Sequence, residues 1–517
     1  MKKYFLSLLL LGVVSISCNK DDDGPIIEEI EEVDETPVEE AKIPDEYPVQ
    51  NFMWQAMNAF YFWQGDVADL ADDRFDTTEK YVEFLASETN PGTFFYNICN
   101  QHVRVVGEQN ATDRFSVAVE NYKDLVNSLQ GVSKNNGLEF QLYAFSNSNN
   151  IYGVVNYIAL NSDASTKDIQ RGDIFIGVNG VMLDRDNYIN LLFGEANSYT
   201  LTMAEITSEG ISENGEEVSL TKEENFSENP ILVSKVIQNN GIPTGYLMYN
   251  GFLAAFDEQL NTVFGEFKAA NVQELVLDFR YNGGGRVSTA VQIASSVYGT
   301  NTNDLFLKAR YNDKIQSTFE PGDGETNFSS TTIDGSAINA LNLDRVYIIT
   351  TGATASASEL VINGLAPYVN VVQVGETTRG KNEFSITFVD DRQNNYFYDN
   401  SREANINPDN QWGIQPLLGR NENADGFSDY TTGLIPNLPL EEDIANLGIL
   451  GDPSEPLLAL ALSNISGETG KFSQQPSMTG DFFSSSFEFK GTNNVSSMNG
   501  LIKIKSDNTS KFGFKND

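Results

Sequence analysis

The chain contains 517 residues, with 33 Lys and Arg, 73 Asp and Glu, and a formal net charge of −40. This charge argues against nucleic-acid binding, which requires phosphates to be neutralised by basic residues. Two cysteines and one histidine exclude a zinc site that needs two histidines or four cysteines. A Ser-His-Asp triad could use only His102. The length predicts about three domains, each large enough to bury its own core.

Residues 1–18 have the features of a bacterial export signal. Two lysines precede an apolar stretch at 4–14, which is too short to span a bilayer. The stretch ends at Ser-Ile-Ser-Cys, residues 15–18, which resembles a lipobox, although Leu is more usual at its first position. Either Cys18 is lipidated or the chain is an ordinary secreted protein with a chance cysteine. The small residue before Cys18 and the soluble linker after it favour a lipoprotein anchored to the bacterial outer membrane, facing the periplasm or the cell surface.

Residues 19–46 are predicted to form a disordered acidic tether. Positions 21–46 contain 13 Asp and Glu and one Lys, so the segment cannot bury enough apolar surface to fold. Its first aspartates lack the alternating spacing of an EF-hand loop. Directly after a lipidated cysteine, they resemble the acidic export signal of some surface-exposed lipoproteins. Lipidation of Cys18 would leave Cys99 as an unpaired, buried thiol.

Three parts follow the tether in chain order. Apolar residues at helical spacing predict helices over 48–65 and 78–87, in an N-terminal helical domain at 47–124. Short strands with an Asn-Gly turn predict a β domain at 125–207. Alternating strands and helices predict an α/β domain at 208–466, before a polar tail at 467–517. The predicted strands of the α/β domain are 245–249, 274–279, 345–350 and 371–375, its predicted helices are 254–270, 288–298, 356–365 and 456–462, and the tail has candidate strands at 482–489 and 501–505.

The β domain at 125–207 resembles a PDZ domain. The resemblance implies a carboxylate-binding loop made by Gly137, Leu138, Glu139 and Phe140, beside a strand edge that accepts an extended peptide. The Arg-Gly-Asp triplet at 171–173 could be interpreted as an adhesion motif. Because it falls where PDZ domains carry a turn, we predict a turn there instead.

The first motif with chemical content is Leu-Val-Leu-Asp-Phe-Arg-Tyr-Asn-Gly-Gly-Gly at 275–285. A buried strand leads into three glycines and then into a helix. Glycines let a backbone approach a substrate closely and present N–H groups to it. In isolation a structural turn is the commoner explanation, and the motif lacks the Lys-Ser/Thr of a phosphate-binding P-loop.

The second motif runs from a strand through small residues to a helix that begins near Ser356. A helix N-terminus supplies unpaired N–H groups and a positive dipole end, which would stabilise an oxyanion. Alternatively, Ser356 or Ser358 merely caps the helix. Lys381 follows 25 residues after Ser356, just beyond a predicted strand. In a dry pocket this lysine would lose its proton readily and could act as a general base, whereas in isolation a solvated surface lysine would be the default.

Together these features resemble the carboxyl-terminal processing proteases, the S41 family of serine peptidases. The resemblance implies a ClpP/crotonase-like α/β catalytic domain, with a preceding or inserted PDZ-like domain and an N-terminal helical domain. It places the nucleophile at Ser356, the base at Lys381, and the oxyanion hole at the N–H groups of Gly285 and Ala357. Many members carry Gln four residues after the lysine. This chain has Ser385, whose hydroxyl could bind the lysine with shorter reach.

The function implied by the resemblance is a serine endopeptidase that cleaves protein substrates with a Ser-Lys dyad, without a metal or cofactor. The PDZ-like domain would recognise the C-terminal segments of those substrates. Two other functions stay open. The chain could be a non-catalytic surface lipoprotein that binds peptides through its PDZ-like domain, or it could perform crotonase-like acyl chemistry on a thioester. The pairing of Ser356 with Lys381 favours the peptidase over both.

Overall fold

A computed structural model describes residues 46–145, 148–208 and 210–467 and the strand 485–486. The predictions for the export signal, Cys18, nearly all of the tether and most of the polar tail, including the candidate strand at 501–505, lie outside these residues. Within the described residues, no helix has the length and apolarity needed to cross a bilayer.

The N-terminal part is mainly helical. Its elements are α1 (Pro48–Phe60), α2 (Thr78–Leu85), α3 (Pro91–Asn97), α4 (Val103–Val106), β1 (Val117–Val119) and α5 (Tyr122–Leu129). Helix α1 is shorter than the predicted 48–65, because the backbone turns extended at Tyr61. Its aromatic core also includes Phe388, Ile414 and Leu417 from late in the chain. The region predicted as a separate domain therefore shares its core with the α/β part.

The β part follows. Its elements are β2 (Val132–Asn135), β3 (Leu138–Ala144), β4 (Ile151–Ile158), β5 (Ile174–Val178), β6 (Val181–Met182), α6 (Tyr188–Phe193), β7 (Ser198–Thr207), β8 (Gly210–Thr221) and β9 (Glu223–Ser227). One sheet has the order β21-β3-β4-β5-β7-β8, where β21 is Ser485–Ser486 and β6 pairs with β5. The predicted boundary at 207 is wrong, because β8 pairs along β7 and β9 pairs with β2. Strand β8 is largely polar and exposed, so it has no alternating apolar pattern to predict it.

The predicted carboxylate-binding loop at Gly137–Phe140 is mostly strand. Leu138, Glu139 and Phe140 belong to β3 and pair with Ile158, Tyr157 and Val155 of β4. Gly137 alone lies in a turn, with φ of +79°. The main-chain hydrogen bonds to β4 hold residues 138–140 in an extended conformation, so these residues form a strand rather than a loop. At the end of β3, Tyr143 and Ala144 pair with β21 on the other edge.

The α/β part contains the remaining elements. They are β10 (Ile231–Asn239), β11 (Ile242–Tyr249), α7 (Asp257–Ala269), β12 (Glu274–Asp278), α8 (Val287–Val297), β13 (Leu305–Tyr311), α9 (Asp313–Gln316), β14 (Glu325–Asn327), β15 (Arg345–Thr350), α10 (Ala357–Leu365), β16 (Asn370–Gly375), β17 (Glu383–Ser385), β18 (Gly413–Gln415), β19 (Leu417–Glu422), β20 (Leu438–Pro439) and α11 (Pro456–Ser466). The main sheet has the order β10-β11-β12-β15-β16-β20, and all neighbours after β11 are parallel.

Helices cover both faces of this sheet. Adjacent residues of β11 point to opposite faces: Leu247 packs with α7, α8 and α10, and Tyr246 packs with α11. Burial on both sides makes the strands nearly continuous in apolar residues, as parallel strands require. The structure confirms the four predicted strands and four predicted helices of this part to within about four residues at each end. A second sheet, β14-β13-β19-β17, was not predicted, since its strands are short and partly polar.

Arg171 joins the β part to the α/β part. Its guanidinium donates to Glu442 Oε1 at 2.6 Å and to the Tyr281 hydroxyl at 2.6 Å. It is nearly buried, with 9% of the side chain exposed. The Arg-Gly-Asp triplet forms a turn, as predicted, and its arginine is occupied inside the molecule rather than offered to an adhesion partner.

Candidate active site

Ser356 lies where β15 has ended and α10 begins. Its backbone has φ of 57° and ψ of −113°, a conformation that non-glycine residues rarely adopt. Such strain costs about 1–3 kcal/mol and persists only where surrounding contacts impose it. Here the Ser356 N–H donates to Glu359 Oε2 at 2.8 Å, and Ser358 Oγ donates to the Asn282 carbonyl at 3.1 Å. The serine therefore stands at the positive end of a buried helix.

The three-glycine loop contacts this serine loop directly. A Cβ on Gly284 would lie 2.8 Å from Ser356 Cβ and 2.9 Å from Ala357 N, closer than carbon atoms pack. Asn282 binds the two loops together, because its Oδ1 accepts from Gly284 N at 2.9 Å and its carbonyl accepts from Ala355 N at 3.1 Å. Glycine is needed here for close approach rather than only for a turn.

The backbone N–H groups of Gly285 and Ala357, the predicted oxyanion donors, donate no hydrogen bond within the described part of the chain. Both residues line the cavity that contains Ser356. Gly284 N, by contrast, is already bonded to Asn282. Unpaired donors at a helix N-terminus can stabilise negative charge that develops on a carbonyl oxygen.

Lys381 reaches the same cavity from the segment after β16. Its Nζ lies 5.3 Å from the centroid of the Phe115 ring, and its backbone N–H donates to Glu359 Oε2 at 2.8 Å. Burial lowers the pKa of Lys381 below its ordinary value, against the opposing effect of nearby carboxylates, first that of Glu383. Among the described residues, no hydrogen bond joins Lys381 Nζ to Ser356 Oγ. Catalytic hydrogen bonds often form only when substrate binds.

Glu359 connects the two loops and was missed as a site residue. Its Oε1 accepts from Thr378 Oγ1 and from Gly380 N at 2.7 Å, and its Oε2 accepts from Ser356 N and Lys381 N. Four donors on one buried carboxylate compensate the loss of water. Burial nonetheless leaves the pKa of Glu359 raised. The Ser-x-x-Glu spacing of a capping box was the signal that could have identified it.

The cavity has a volume of about 610 Å³ and contains all of the predicted catalytic residues. Ser385 also lines it, from the end of β17, but its hydroxyl makes no hydrogen bond to Lys381 within the described residues. The cavity extends to the β part, where it meets Glu139, while the other predicted peptide-binding residues do not line it. Ser356, Lys381, Gly285 and Ala357 are therefore brought together, and Gly137, Leu138 and Phe140 are not.

Neither His102 nor Cys99, the two residues that the composition singled out, lines this cavity. His102 is buried, with Nε2 2.9 Å from the Ser116 carbonyl, and does not line the cavity. Cys99 is buried, as predicted, and its Sγ donates to the Phe95 carbonyl at 3.3 Å. In the described ranges no cluster of three or more His, Cys, Asp or Glu side chains could hold a metal ion.

Two family models match the chain. The model for peptidase family S41 matches residues 243–416, and the model for the peptidase S41 N-terminal domain matches residues 48–117. The first match includes the glycine loop, the Ser356 loop and Lys381, and the second covers α1 to β1. No curated protein matches the chain.

Two solved structures are similar to this chain. A candidate S41 protease from Bacteroides fragilis NCTC 9343 is 25% identical, covers 83% of this chain and 99% of its own, and has a TM-score of 0.60. A photosystem II D1 C-terminal processing protease is 18% identical over 80% of this chain and 100% of its own, with a TM-score of 0.47. The family matches and the first of these structures agree with the site geometry: residues 243–416 match peptidase family S41, and the chain is a serine peptidase.

Proposed function

We propose that this peptidase is an endopeptidase that cleaves protein substrates with a Ser356–Lys381 dyad. The observation that carries the proposal is the convergence of Ser356, Lys381 and two unpaired N–H groups, those of Gly285 and Ala357, in one cavity. Desolvation favours the neutral form of Lys381, the form that can accept a proton.

The proposed reaction has two halves. In the first, Lys381 Nζ accepts the proton of Ser356 Oγ while Oγ attacks the scissile carbonyl carbon. The N–H groups of Gly285 and Ala357 stabilise the oxyanion, and the Lys381 ammonium gives its proton to the leaving amine as the C–N bond breaks. In the second, Lys381 accepts a proton from water, the hydroxide attacks the acyl-enzyme, and Ser356 regains its proton. Each oxyanion donor typically contributes about 10²–10³-fold to the rate.

A serine-reactive phosphonate probe tests the nucleophile. We expect labelling of the folded protein, and loss of both labelling and peptide cleavage in Ser356→Ala. Ser288→Ala is the matched control, because Ser288 lines the same cavity at the start of another helix. Persistent labelling of Ser356→Ala, or equal loss in the control, would contradict the assignment. Absence of labelling in the wild type would favour the non-catalytic peptide-binding alternative.

Substrate recognition by the β part is a second element of the proposal. The sequence resemblance to PDZ domains supports selection of protein C-termini by residues 125–207. Because residues 138–140 belong to β3, the proposal assigns the bound peptide to the edge of that strand rather than to a loop. Proteomics of cells expressing Ser356→Ala tests this idea. Accumulation of C-terminally extended proteins is expected, and accumulation of proteins with unchanged C-termini would contradict it.

Anchoring through Cys18 is the third element. The apolar stretch, the Ser-Ile-Ser-Cys sequence and the acidic segment after it support lipidation and attachment to the outer membrane. Metabolic labelling with a fatty-acid analogue should mark the wild type and not Cys18→Ala, whereas Cys99→Ala should remain labelled. Digestion of intact cells by an added protease then distinguishes the cell surface from the periplasm.

A further inference from the structure

The cavity has a wall far from the dyad in sequence, which we call the acidic wall and define as Glu139, Tyr157, Glu228 and Asn250. All four residues line the cavity. Glu139 and Tyr157 are direct partners on β3 and β4, so their side chains project from the same face of the sheet. The Tyr157 hydroxyl donates to Glu228 Oε1 at 2.9 Å. Two carboxyl groups therefore lie close together at the cavity surface.

No cation neutralises these carboxyl groups within the described part of the chain. Neither Glu139 nor Glu228 takes part in an ion pair, and the contact to Glu139 is a neutral one, from Asn135 Nδ2 at 3.3 Å. Burial raises the pKa of both, and the neighbouring Glu228 adds to the effect on Glu139. Burial therefore favours the neutral form of both acids while the cavity is empty, and a cationic ligand placed between them would favour the charged form.

Asn250 is an independent sign of a missing partner. Its side chain is 6% exposed, and neither Oδ1 nor Nδ2 has a hydrogen-bond partner of good geometry. The amide lies near the Tyr157 hydroxyl, but no hydrogen bond of normal geometry joins the two groups within the described residues. Its backbone is held firmly, with Asn250 N donating to the Pro230 carbonyl at 2.9 Å. A buried amide left unsatisfied destabilises the fold unless a ligand binds it.

The acidic wall is close enough to the reaction centre to contact a bound peptide. Asn250 is two residues before Phe252, whose N–H donates to the Gly284 carbonyl at 2.9 Å. Two residues span at most about 7 Å. A substrate carbonyl held by Gly285 would therefore place a nearby side chain of the same peptide within reach of Asn250.

We propose that Glu139, Glu228 and Asn250 form a subsite for the cationic side chain of an arginine or lysine in the substrate. The inference rests on the proposed peptidase function and names part of its specificity. Arginine fits best, because its planar guanidinium has five N–H donors and no acceptor. Two carboxylates and the Asn250 Oδ1 supply acceptors from three directions, and charge-assisted hydrogen bonds of this kind are strong.

The test compares arginine with citrulline, which has nearly the same shape but no charge. Fluorophore–quencher peptides carry arginine, lysine, citrulline or norleucine at one position, which is moved stepwise along an otherwise constant sequence. At one position we expect kcat/KM for arginine to exceed that for citrulline by about 10- to 100-fold, the range given by charge-assisted hydrogen bonds. Equal rates for arginine and citrulline at every position would overturn the proposal.

Variants of the acidic wall identify where the preference arises. Glu139→Gln, Glu228→Gln and the double variant should reduce cleavage of the arginine peptide and leave the citrulline peptide within about twofold. Glu217→Gln is the matched control, because it removes one negative charge from an exposed site on the same sheet. Equal losses for both peptides would indicate a structural role and contradict the inference. If a variant does not fold, the comparison of arginine and citrulline peptides with the wild-type enzyme still tests the proposed subsite.

Binding separates this inference from the catalytic proposal. Fluorescence anisotropy with Ser356→Ala measures the affinity for the labelled arginine and citrulline peptides without cleavage. Tighter arginine binding that disappears in Ser356→Ala/Glu228→Gln supports the subsite even if no peptide is cleaved by the wild type. Cleavage without any difference between arginine and citrulline leaves the peptidase intact and overturns the subsite.

Discussion

Two regions of the same cavity differ in how their buried polar groups are satisfied. Around the dyad, Glu359 accepts four hydrogen bonds from the loops that carry Ser356 and Lys381. In the acidic wall, within the described residues, Glu228 is bonded only to Tyr157 and the Asn250 side chain has no hydrogen-bond partner. In the first region the buried carboxylate is fully hydrogen-bonded by the chain itself. The acidic wall has hydrogen-bond acceptors without donors, as expected of a surface that selects a ligand.

Replacing Lys381 should have the largest effect, since it removes the proposed base from the completed region. We expect Lys381→Ala to lower kcat by about 10²–10⁴-fold with little change in KM. Lys268→Ala, an exposed lysine at the end of α7, is the control. Steady-state kinetics with a quenched peptide measures both. A Lys381→Ala enzyme within tenfold of the wild type would show that another group acts as base.

The glycine loop provides the next prediction. A Cβ on Gly285 would lie 2.4 Å from the Phe252 carbonyl oxygen, and its φ of +135° is unsuited to other residues. Gly285→Ala should therefore displace the oxyanion donor and reduce kcat by about 10²–10³-fold. Gly172→Ala is the control for backbone strain without a steric clash, because Gly172 has φ of +91° and open space around it. If both variants lose activity equally, the oxyanion assignment fails.

Glu359→Gln tests whether the four hydrogen bonds order the dyad. A Gln side chain presents an N–H₂ group to donors, so at least one of those bonds becomes a repulsion. We expect kcat to fall by about 10- to 100-fold and the free energy of unfolding to fall by about 1–3 kcal/mol. Glu258→Gln, which alters another first-turn glutamate that accepts from a threonine, should leave kcat unchanged. Unchanged kinetics in Glu359→Gln would refute a positioning role for this carboxylate.

The pH dependence should follow the protonation of Lys381. Its pKa is lowered by burial, and only the neutral amine can accept the proton of Ser356. The value of kcat/KM should therefore rise about tenfold per pH unit below that pKa and level off above it. The midpoint should fall below 10.5, the ordinary value for lysine. A midpoint at or above that value would mean that Lys381 titrates in water.

Ser385 should have the smallest effect. It lines the cavity from β17 but makes no hydrogen bond to Lys381 within the described residues. We expect Ser385→Ala to retain kcat within about threefold, with an unchanged pH midpoint. A larger loss accompanied by a shifted midpoint would indicate that Ser385 orients the lysine when substrate is bound. Ser385→Gln would then be expected to restore or exceed the wild-type rate.

The sequence by itself determined the local features of this protein. The continuous apolar strands predicted β12, β15 and β16, because burial on both faces leaves a signal in consecutive residues. Small residues before a helix and a glycine-preceded lysine made Ser356 and Lys381 candidates, since each motif is contained within one loop, and the family resemblance then assigned their roles. Cys99 was predicted to be buried, and it is. The resemblance to the S41 family rested on these short motifs in their order along the chain.

Only the tertiary structure decided which distant residues share the cavity. Glu139, Glu228 and Asn250 come from three separate segments, and no local pattern marks an unpaired amide or a missing counter-cation. The polar strand β8 and the core shared by α1 with Ile414 were likewise unpredicted, because their partners are set by packing rather than by neighbouring residues. The chain's own periodicity specifies its elements, whereas burial and hydrogen-bond satisfaction depend on what the fold places opposite each side chain.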